Sequence, residues 1–527
     1  MKNNKILLPF IAAGGFIFNA IFWHEQLAFN ALLFDAFILS CLFFLYRPAL
    51  ANTVVRYLLP AHLVALFALI VFNSILSKIA FAGTLLLLCA FVSYAHRSIW
   101  FAAGSLLLSF TSFAGGFIRL AGNGRKDGQI KKPLTRFIRF AIFPLLAGIL
   151  FFIIYSGANN VFATIAGKIG STLQHALSSF FSMFSFERSL FVLFGFYFTG
   201  ALLLRAGYTQ FELMESAATD NMKRIRKKRM DIKNSLLYYF TVGIMGRLAK
   251  GAMALKNEYR TGLISLALLN LLLLVINLID INYLWIHFNY TPDIDLYTMI
   301  HEGTDLLILS IVMAILVVLI FFRGNLNFYR KNKWLKMGTY AWLLQNGVLV
   351  ISVLLRDYYY IREFGLAYKR IGVLFFLLMV IAGLITVFLK VRWAKTNYYL
   401  LRVNAWCGIF LLVSASAIQW DVLIAKYNIN HRQTAPLNLP FLLTLSDKVL
   451  PVLDASSAVL KVREKELNAK GIYMDRDGGS FENVLSLKIR SYLEEQDKYS
   501  WLSWNSTDAS VKDYFIKKQI PIAVISK

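Results

Sequence analysis

Long apolar runs recur along this 527-residue chain, and that recurrence constrains the fold more than any single residue does. About 20 mainly apolar residues in a helix cross the hydrocarbon layer of a bilayer. Runs of that kind lie near 6–23, 28–46, 57–73, 75–95, 99–118, 137–156, 188–207, 261–282, 302–322, 339–356, 371–389 and 403–422. They predict an all-α protein, a polytopic transmembrane helix bundle of about 12 spans. A soluble chain with 58% hydrophobic and 16% charged residues would need a very large core, whereas a membrane bundle does not. The first run follows a basic tip like that of a signal peptide, but further spans follow at once, so it reads as an uncleaved first span.

The charge is distributed to match. The net charge of +26 comes from 55 Lys and Arg against 29 Asp and Glu. A nucleic-acid binder would gather that excess on one basic face. Here it sits in short runs between apolar segments, the pattern of cytoplasmic loops, and no nucleic-acid partner is expected. On that rule residues 119–136, 208–260, 323–337 and 390–402 are inside, while 283–301, 357–370 and 423–527 are outside. The 357–370 connection goes against the rule, because it carries Arg362, Lys369 and Arg370. Counting back through five spans puts the amino terminus outside, whereas Lys2 and Lys5 argue for inside. One early run is therefore suspect, 57–73 or 75–95, whose connection is very short.

Four regions follow. Residues 1–207 hold the first set of spans, with an interfacial helix expected in 157–187. Residues 208–260 form a basic cytoplasmic loop with an amphipathic segment at 235–255. Residues 261–422 hold the second set of spans. Residues 423–527 form a small, mostly helical extramembrane tail, with helical patterns at 441–453, 456–470 and 481–497 and with Trp501 and Trp504 in a small core or at the membrane interface. In the basic loop Lys223, Arg224, Arg226, Lys227, Lys228 and Arg229 are candidates to touch anionic lipid headgroups, at about 1 kcal/mol per basic residue near the surface.

Polar side chains inside hydrocarbon are costly and tend to face a bundle interior or a wet cavity. Tyr340 to Phe376 concentrates them. Gln345 and Asn346 lie in the body of a span that is expected to end at Arg356 and Asp357, before a polar connection and the next span at Ile371. Eleven residues are close to three helical turns, so Gln345 shares a face with Arg356, and Asn346 with Asp357. Asp280, Glu302, Asp305, Lys369 and Arg370 complete a candidate polar cluster at the outer ends of these spans. His301, Glu302 and Asp305 are the nearest approach to a metal site. Carboxylates in the first turn of a span are expected on helix-dipole grounds alone, so no metal is assigned. Cys41, Cys89 and Cys407 fall in apolar runs and read as packing residues. No phosphate-binding loop, dinucleotide fingerprint, HExxH or nucleophile elbow is present, and no cofactor is implied.

Several segments together carry a family resemblance. They are Glu302-Gly303-Thr304, Phe321 to Asn327, Gln345-Asn346, Gly365 to Val373, Ile424 to Ile429 and Leu445-Ser446-Asp447. Over roughly residues 190–455 the chain resembles a bacterial family of multi-pass membrane proteins known only as a domain of unknown function. The resemblance implies an integral protein of the bacterial inner membrane and carries no catalytic residues. In that family the Gly-Leu-Thr-Tyr-Lys-Arg segment commonly has Thr where this chain has Ala367.

Three functions follow as expectations. The first is transport, or handling of a lipid or other envelope component, at the outer polar cluster. The second is a non-enzymatic sensor or scaffold whose tail binds an envelope protein or small ligand. The third is an envelope enzyme on a lipid-linked or glycan substrate, with Glu302 or Asp305 as acid or base. Without a catalytic motif, catalysis ranks last. Membrane lipids are partners in every case.

Overall fold

The computed structural model describes residues 4–94, 96–122, 162, 164, 167, 185–205, 210–223, 254–286, 296–322, 325–433, 435–469 and 480–518. Among these residues all regular structure is helical, apart from one isolated bridge between Asn221 and Lys395. Each expected apolar run except 137–156, which lies outside the described residues, falls on a helix. Among the described residues six helices are long and apolar enough to cross a membrane: Thr53–Phe72, Ile75–Ser93, Leu255–Ile286, Lys333–Phe364, Tyr368–Trp393 and Asn397–Ser416. Shorter apolar helices accompany them at Leu7–Phe22, Phe29–Leu45, Ile99–Phe113 and Leu307–Phe321. Many apolar side chains on these helices face outward, among them Leu271, Leu272, Val275 and Ile279. Large exposed apolar surfaces are rare on soluble proteins, and this one suits lipid as its solvent. These are the features of an integral membrane protein.

The chain divides into two compact units. The first comprises Met1–Leu213 with Lys498–Asn505. It contains α1 (Asn4–Phe22), α2 (Phe29–Leu45), α3 (Thr53–Phe72), α4 (Ile75–Ser93), α5 (Ile99–Gly122) and α6 (Phe186–Leu203), and it ends within α7 (Gln210–Ala217). α3 and α4 are distinct helices. Asn73 ends α3 in the left-handed region (φ 44°), and the Ser74 hydroxyl caps α4 by accepting from Ser77 N. Asn and Ser favour such positions because their short polar side chains bond locally. Each of the two helices is long and apolar enough to cross.

α1 and α6 run antiparallel and touch closely through small residues, as membrane helices commonly do. A Cβ on Gly15 would meet the Phe196 ring at 2.6 Å. Beside them Phe18 gathers Phe22, Phe34, Phe191, Phe194 and Phe198, with ring centroids 4.9–6.0 Å away. α5 is also antiparallel to α6: the Ser109 hydroxyl donates to Ala201 O and Leu204 O, and Phe110 meets Tyr197. The end of α5 thus lies level with the start of α6, at the opposite end from Leu204. Most of 119–136 and of 208–260, which the sequence expectation put on one side, lies outside the described residues. Residues 498–505 bind the α1–α2 turn, where Gln26 N donates to Ser503 Oγ (2.8 Å) and Phe29 N to Trp504 O (3.2 Å). Trp501 and Trp504 remain largely exposed beside Phe29.

The second unit comprises Met214–Asp497 with Ser506–Lys527. Its long helices are α8 (Ala254–Asp280, continuing as a π turn over Ile281–Ile286), α9 (Leu296–Phe321), α10 (Lys333–Phe364), α11 (Tyr368–Trp393) and α12 (Asn397–Ser416). α10 is 32 residues, about 48 Å at 1.5 Å per residue, and so outruns a hydrocarbon layer of about 30 Å. It does not end at Arg356 and Asp357 as expected. Residues 358–364 contain no breaker, and the helix stops where Gly365 adopts φ 81°. Only glycine takes that conformation without steric cost. α9 starts at Leu296, ahead of the expected 302, so Glu302 and Asp305 lie beyond its first turn and the dipole argument for them does not hold. α12 ends at Ser416, short of the expected 422, where the Ser414 and Ser416 hydroxyls bond back to Phe410 O and Val413 O. Such bonds compete with helix propagation.

After α12 come α13 (Trp420–Asn430), α14 (Leu439–Thr444), α15 (Leu450–Ala455), α16 (Ser457–Ala469), α17 (Phe481–Gln496) and α18 (Ser506–Lys517). Their core joins Ile424, Leu442, Leu453, Leu460, Phe481, Ile489 and Phe515, and reaches Leu366 and Ile371 at the α10–α11 turn. Inside it the Tyr492 hydroxyl donates to Asp508 O at 3.2 Å. Burial first, and the Asp508 carboxylate next, push that phenol well above its ordinary range.

Candidate functional site

Polar residues at a heptad-like spacing join α8 to α10. The Asn270 amide donates to Gly338 O (3.0 Å), and the Gln345 amide donates to Asn270 Oδ1 (2.8 Å). One repeat on, the Asn277 amide donates to Gln345 O (3.1 Å). Beyond it Arg356 Nη2 meets Asp280 Oδ1 at 2.5 Å, with the two side chains only 15% and 6% exposed. Trp285 Nε1 on the π turn then donates to Ser352 Oγ (3.1 Å). The partners rise together along both helices, so α8 and α10 are parallel and α9 returns between them in sequence. Gln345 and Arg356 do share a face, and that face is turned to α8. Their polar groups serve helix association, which in a membrane relies on such bonds in place of a hydrophobic drive.

The other expected pair shares a second face. Asn346 is buried, its amide donating to Trp342 O (2.7 Å). Asp357 is 5% exposed, and its Oδ2 has no hydrogen-bond partner. Glu302 and Asp305 belong to α9, but their side chains, like that of His301, lie outside the described residues. Among the described residues the expected ring of opposite charges reduces to the Asp280–Arg356 pair. Lys369 is exposed at the start of α11. Lys223 is exposed as well, and its segment docks on the α11–α12 turn: Met222 N donates to Ala394 O, and Arg402 pairs with Asp220 at 2.5 Å. Arg224, Arg226, Lys227, Lys228 and Arg229 lie outside the described residues.

The α10–α11 turn is a built site. Asn428 on α13 accepts from Leu366 N (2.6 Å) and donates to Leu366 O (2.9 Å), closing both backbone groups of one residue. A Cβ on Gly365 would stand 2.6 Å from Asn428 Oδ1, so close approach and positive φ both require glycine there. Arg370 Nη1 donates to Phe364 O (3.0 Å) and to Gly365 O, two carbonyls left open by the end of α10. Its guanidinium lies 4.2 Å from the centroid of the Tyr360 ring, in cation–π contact.

Around this turn the chain leaves a cleft of about 200 Å³. Its walls are Phe364 to Ala367, Arg370 and Asn428 on one side, and Ala435 to Asn438 with Phe441 on the other. It offers one guanidinium, two side-chain amides and apolar walls, and no His, Cys, Asp or Glu lines it. That set can bind an anion and lacks an acid–base pair. Asn428 and Asn438 were not expected from the sequence, although Asn428 lies in the Ile424–Ile429 segment that carries the resemblance. The fold brings that segment onto Gly365–Arg370, another segment of the same set.

Comparison with curated proteins and with solved structures finds no match. The family model described as "Domain of unknown function (DUF4153)" matches residues 58–456 and so spans both the α8–α10 ladder and the cleft. The chain belongs to that family.

Proposed function

We propose that this chain is a multi-pass protein of the bacterial inner membrane that holds the anionic headgroup of a lipid, or of a lipid-linked envelope component, in the Arg370–Asn428 cleft. The observation that carries the reading is the lining of that cleft. Arg370 supplies fixed positive charge and a planar donor fork, Asn428 and Asn438 supply amides, and the apolar walls suit the neck of a lipid. Its volume, about 200 Å³, lies below the roughly 300–1,000 Å³ of drug-sized pockets and matches a headgroup rather than a whole lipid. The missing acid–base pair favours binding over catalysis. Engagement of Gln345 and Arg356 with α8 favours binding over passage along that face. In this reading the cleft and the tail face the extracytoplasmic side, and Lys223 with the basic run after it meets anionic headgroups at the cytoplasmic side.

The test is retention of lipid by the detergent-purified full chain, read by native mass spectrometry with phosphatidylglycerol and phosphatidylcholine added in turn. Wild type is expected to retain phosphatidylglycerol preferentially, and Arg370→Gln to lose at least tenfold of that preference, while Lys331→Gln leaves it unchanged. Equal retention by wild type and Arg370→Gln would remove the cleft from the account.

A further inference from the structure

A second polar site lies in the first unit and has no part in the cleft. Asp35 on α2, His62 on α3 and Thr84 on α4 form one chain of bonds. His62 Nε2 is 2.9 Å from Asp35 Oδ1, and His62 Nδ1 is 2.9 Å from Thr84 Oγ1. Asp35 is 2% exposed, and the other two are fully buried. The imidazole stacks on Phe81 at 5.4 Å. His62 is nine residues into α3 and Thr84 nine into α4, each about 14 Å from its helix start, near the middle of a roughly 30 Å layer. Ionisable groups at that depth are costly and are functional candidates by default.

Counting hydrogens narrows the role. Thr84 has one hydroxyl proton, and Oγ1 lies 2.7 Å from Ala80 O and 3.1 Å from Phe81 O, which can only accept. When that proton is on Ala80 O, the bond from His62 Nδ1 to Thr84 must carry the imidazole's own hydrogen. A second proton then lies between Nε2 and Asp35. On Nε2 it makes an imidazolium–carboxylate pair, and on Asp35 a neutral acid and imidazole, so the site is uncharged either way. Removing it breaks the N–H or O–H bond and leaves one negative charge. The remaining ring hydrogen then belongs on Nε2, facing the Asp35 carboxylate. Nδ1 becomes an acceptor, and the Thr84 hydroxyl turns from Ala80 O to His62.

We infer that Asp35, His62 and Thr84 form a proton-binding site within the hydrocarbon layer, which holds one exchangeable proton and reports its loss to α4 through Thr84. Of the other titratable groups on the packed helices, Tyr57, Glu187 and Arg188 are exposed. Cys89 is fully buried on α4 and within electrostatic reach of Asp35, and Cys41 is buried on α2. Arg56 and Lys78 are each six residues, about 9 Å along the axis, from His62 and Thr84. Tyr197 of α6 donates to Phe110 O. Lys5 lies in the first turn of α1, and Arg119 near the end of α5.

The experiment is nitrogen-15 NMR of histidine-labelled full chain in detergent, titrated over about pH 5–9, with the His62 signals identified by their loss in His62→Gln. The expected result is a protonated Nδ1 at low pH that becomes a bare acceptor at high pH, where Nε2 carries the ring hydrogen, and no such transition in Asp35→Asn. If Asp35→Asn does not fold, Thr84→Val serves in its place. It removes both the acceptor of the Nδ1 hydrogen at low pH and the donor to bare Nδ1 at high pH, and the stronger loss is that of the protonated ring, so the midpoint should fall. A bare Nδ1 over the whole range, a protonated Nδ1 over the whole range, or an unmoved midpoint in Thr84→Val would each overturn the inference.

Discussion

Truncating Arg356 should unsettle the second unit more than almost any other single change in it. The Arg356–Asp280 contact is 2.5 Å between side chains that are 15% and 6% exposed. With charge centres about 4 Å apart and an effective dielectric of about 20, the attraction is about 4 kcal/mol. Withdrawing each ion from water costs several kcal/mol, so the intact pair contributes little net stability. Arg356→Ala removes the attraction and leaves Asp280 buried with its desolvation uncompensated, at a cost of about 3–5 kcal/mol. Asp280→Leu strands the arginine in the same way. The double variant Asp280→Leu with Arg356→Met removes both charges and should recover most of the loss. The assay is thermal unfolding of the detergent-purified protein, followed by tryptophan fluorescence and by monodispersity on gel filtration, arranged as a double-mutant cycle. If the double variant lost the sum of the single losses, or if Arg356→Ala lost less than about 1 kcal/mol, the pair would not be the buried unit described here.

Gly365→Ala forces a side chain onto φ 81° and within 2.6 Å of Asn428 Oδ1, so it should cost about 1–3 kcal/mol and open the cleft, both visible as a lower unfolding temperature and lost lipid retention. The buried Tyr492 phenol is raised, and Tyr514 is pushed up to about 12 by burial and by Asp454. Their contribution is complete below the unfolded value of about 10 and is lost as pH climbs through the folded values. The tail should therefore loosen in strong alkali by near-ultraviolet circular dichroism, and less so in Tyr492→Phe. Residues 498–505 bind the α1–α2 turn within the first unit. Reporters fused after residues 26 and 505 should thus report one side, and a reporter after residue 50 the other; a split between 26 and 505 would contradict this.

How much of this was legible in the sequence depends on the kind of signal. The long helices were, because lipid demands about 20 apolar residues per crossing and leaves that demand in the composition. The shared face of Gln345 and Arg356 was legible from an eleven-residue spacing. Its partner was not, since spacing names a face and not the neighbour on it. Asn270 and Asn277 are single polar residues in an apolar run, and only the placing of α10 beside them shows what they bind. The end of α10 was misplaced because Arg356 and Asp357 look like a span boundary, whereas a helix continues until its backbone is broken, here at Gly365. Asp35, His62 and Thr84 are 27 and 22 residues apart, and only the packing of three helices makes them one site.

The central claim is that an anionic headgroup occupies the cleft at the α10–α11 turn. The most direct measurement is photo-crosslinking of the full chain in liposomes, using an anionic phospholipid and a zwitterionic one that carry the same headgroup-proximal photoreactive group, with the adducts mapped by peptide mass spectrometry. The account predicts adducts from the anionic probe on residues 364–370 and 435–441, reduced at least tenfold for the zwitterionic probe and in Arg370→Gln. Equal labelling of those residues by both probes, or no labelling there while other lipid-facing residues react, would contradict it.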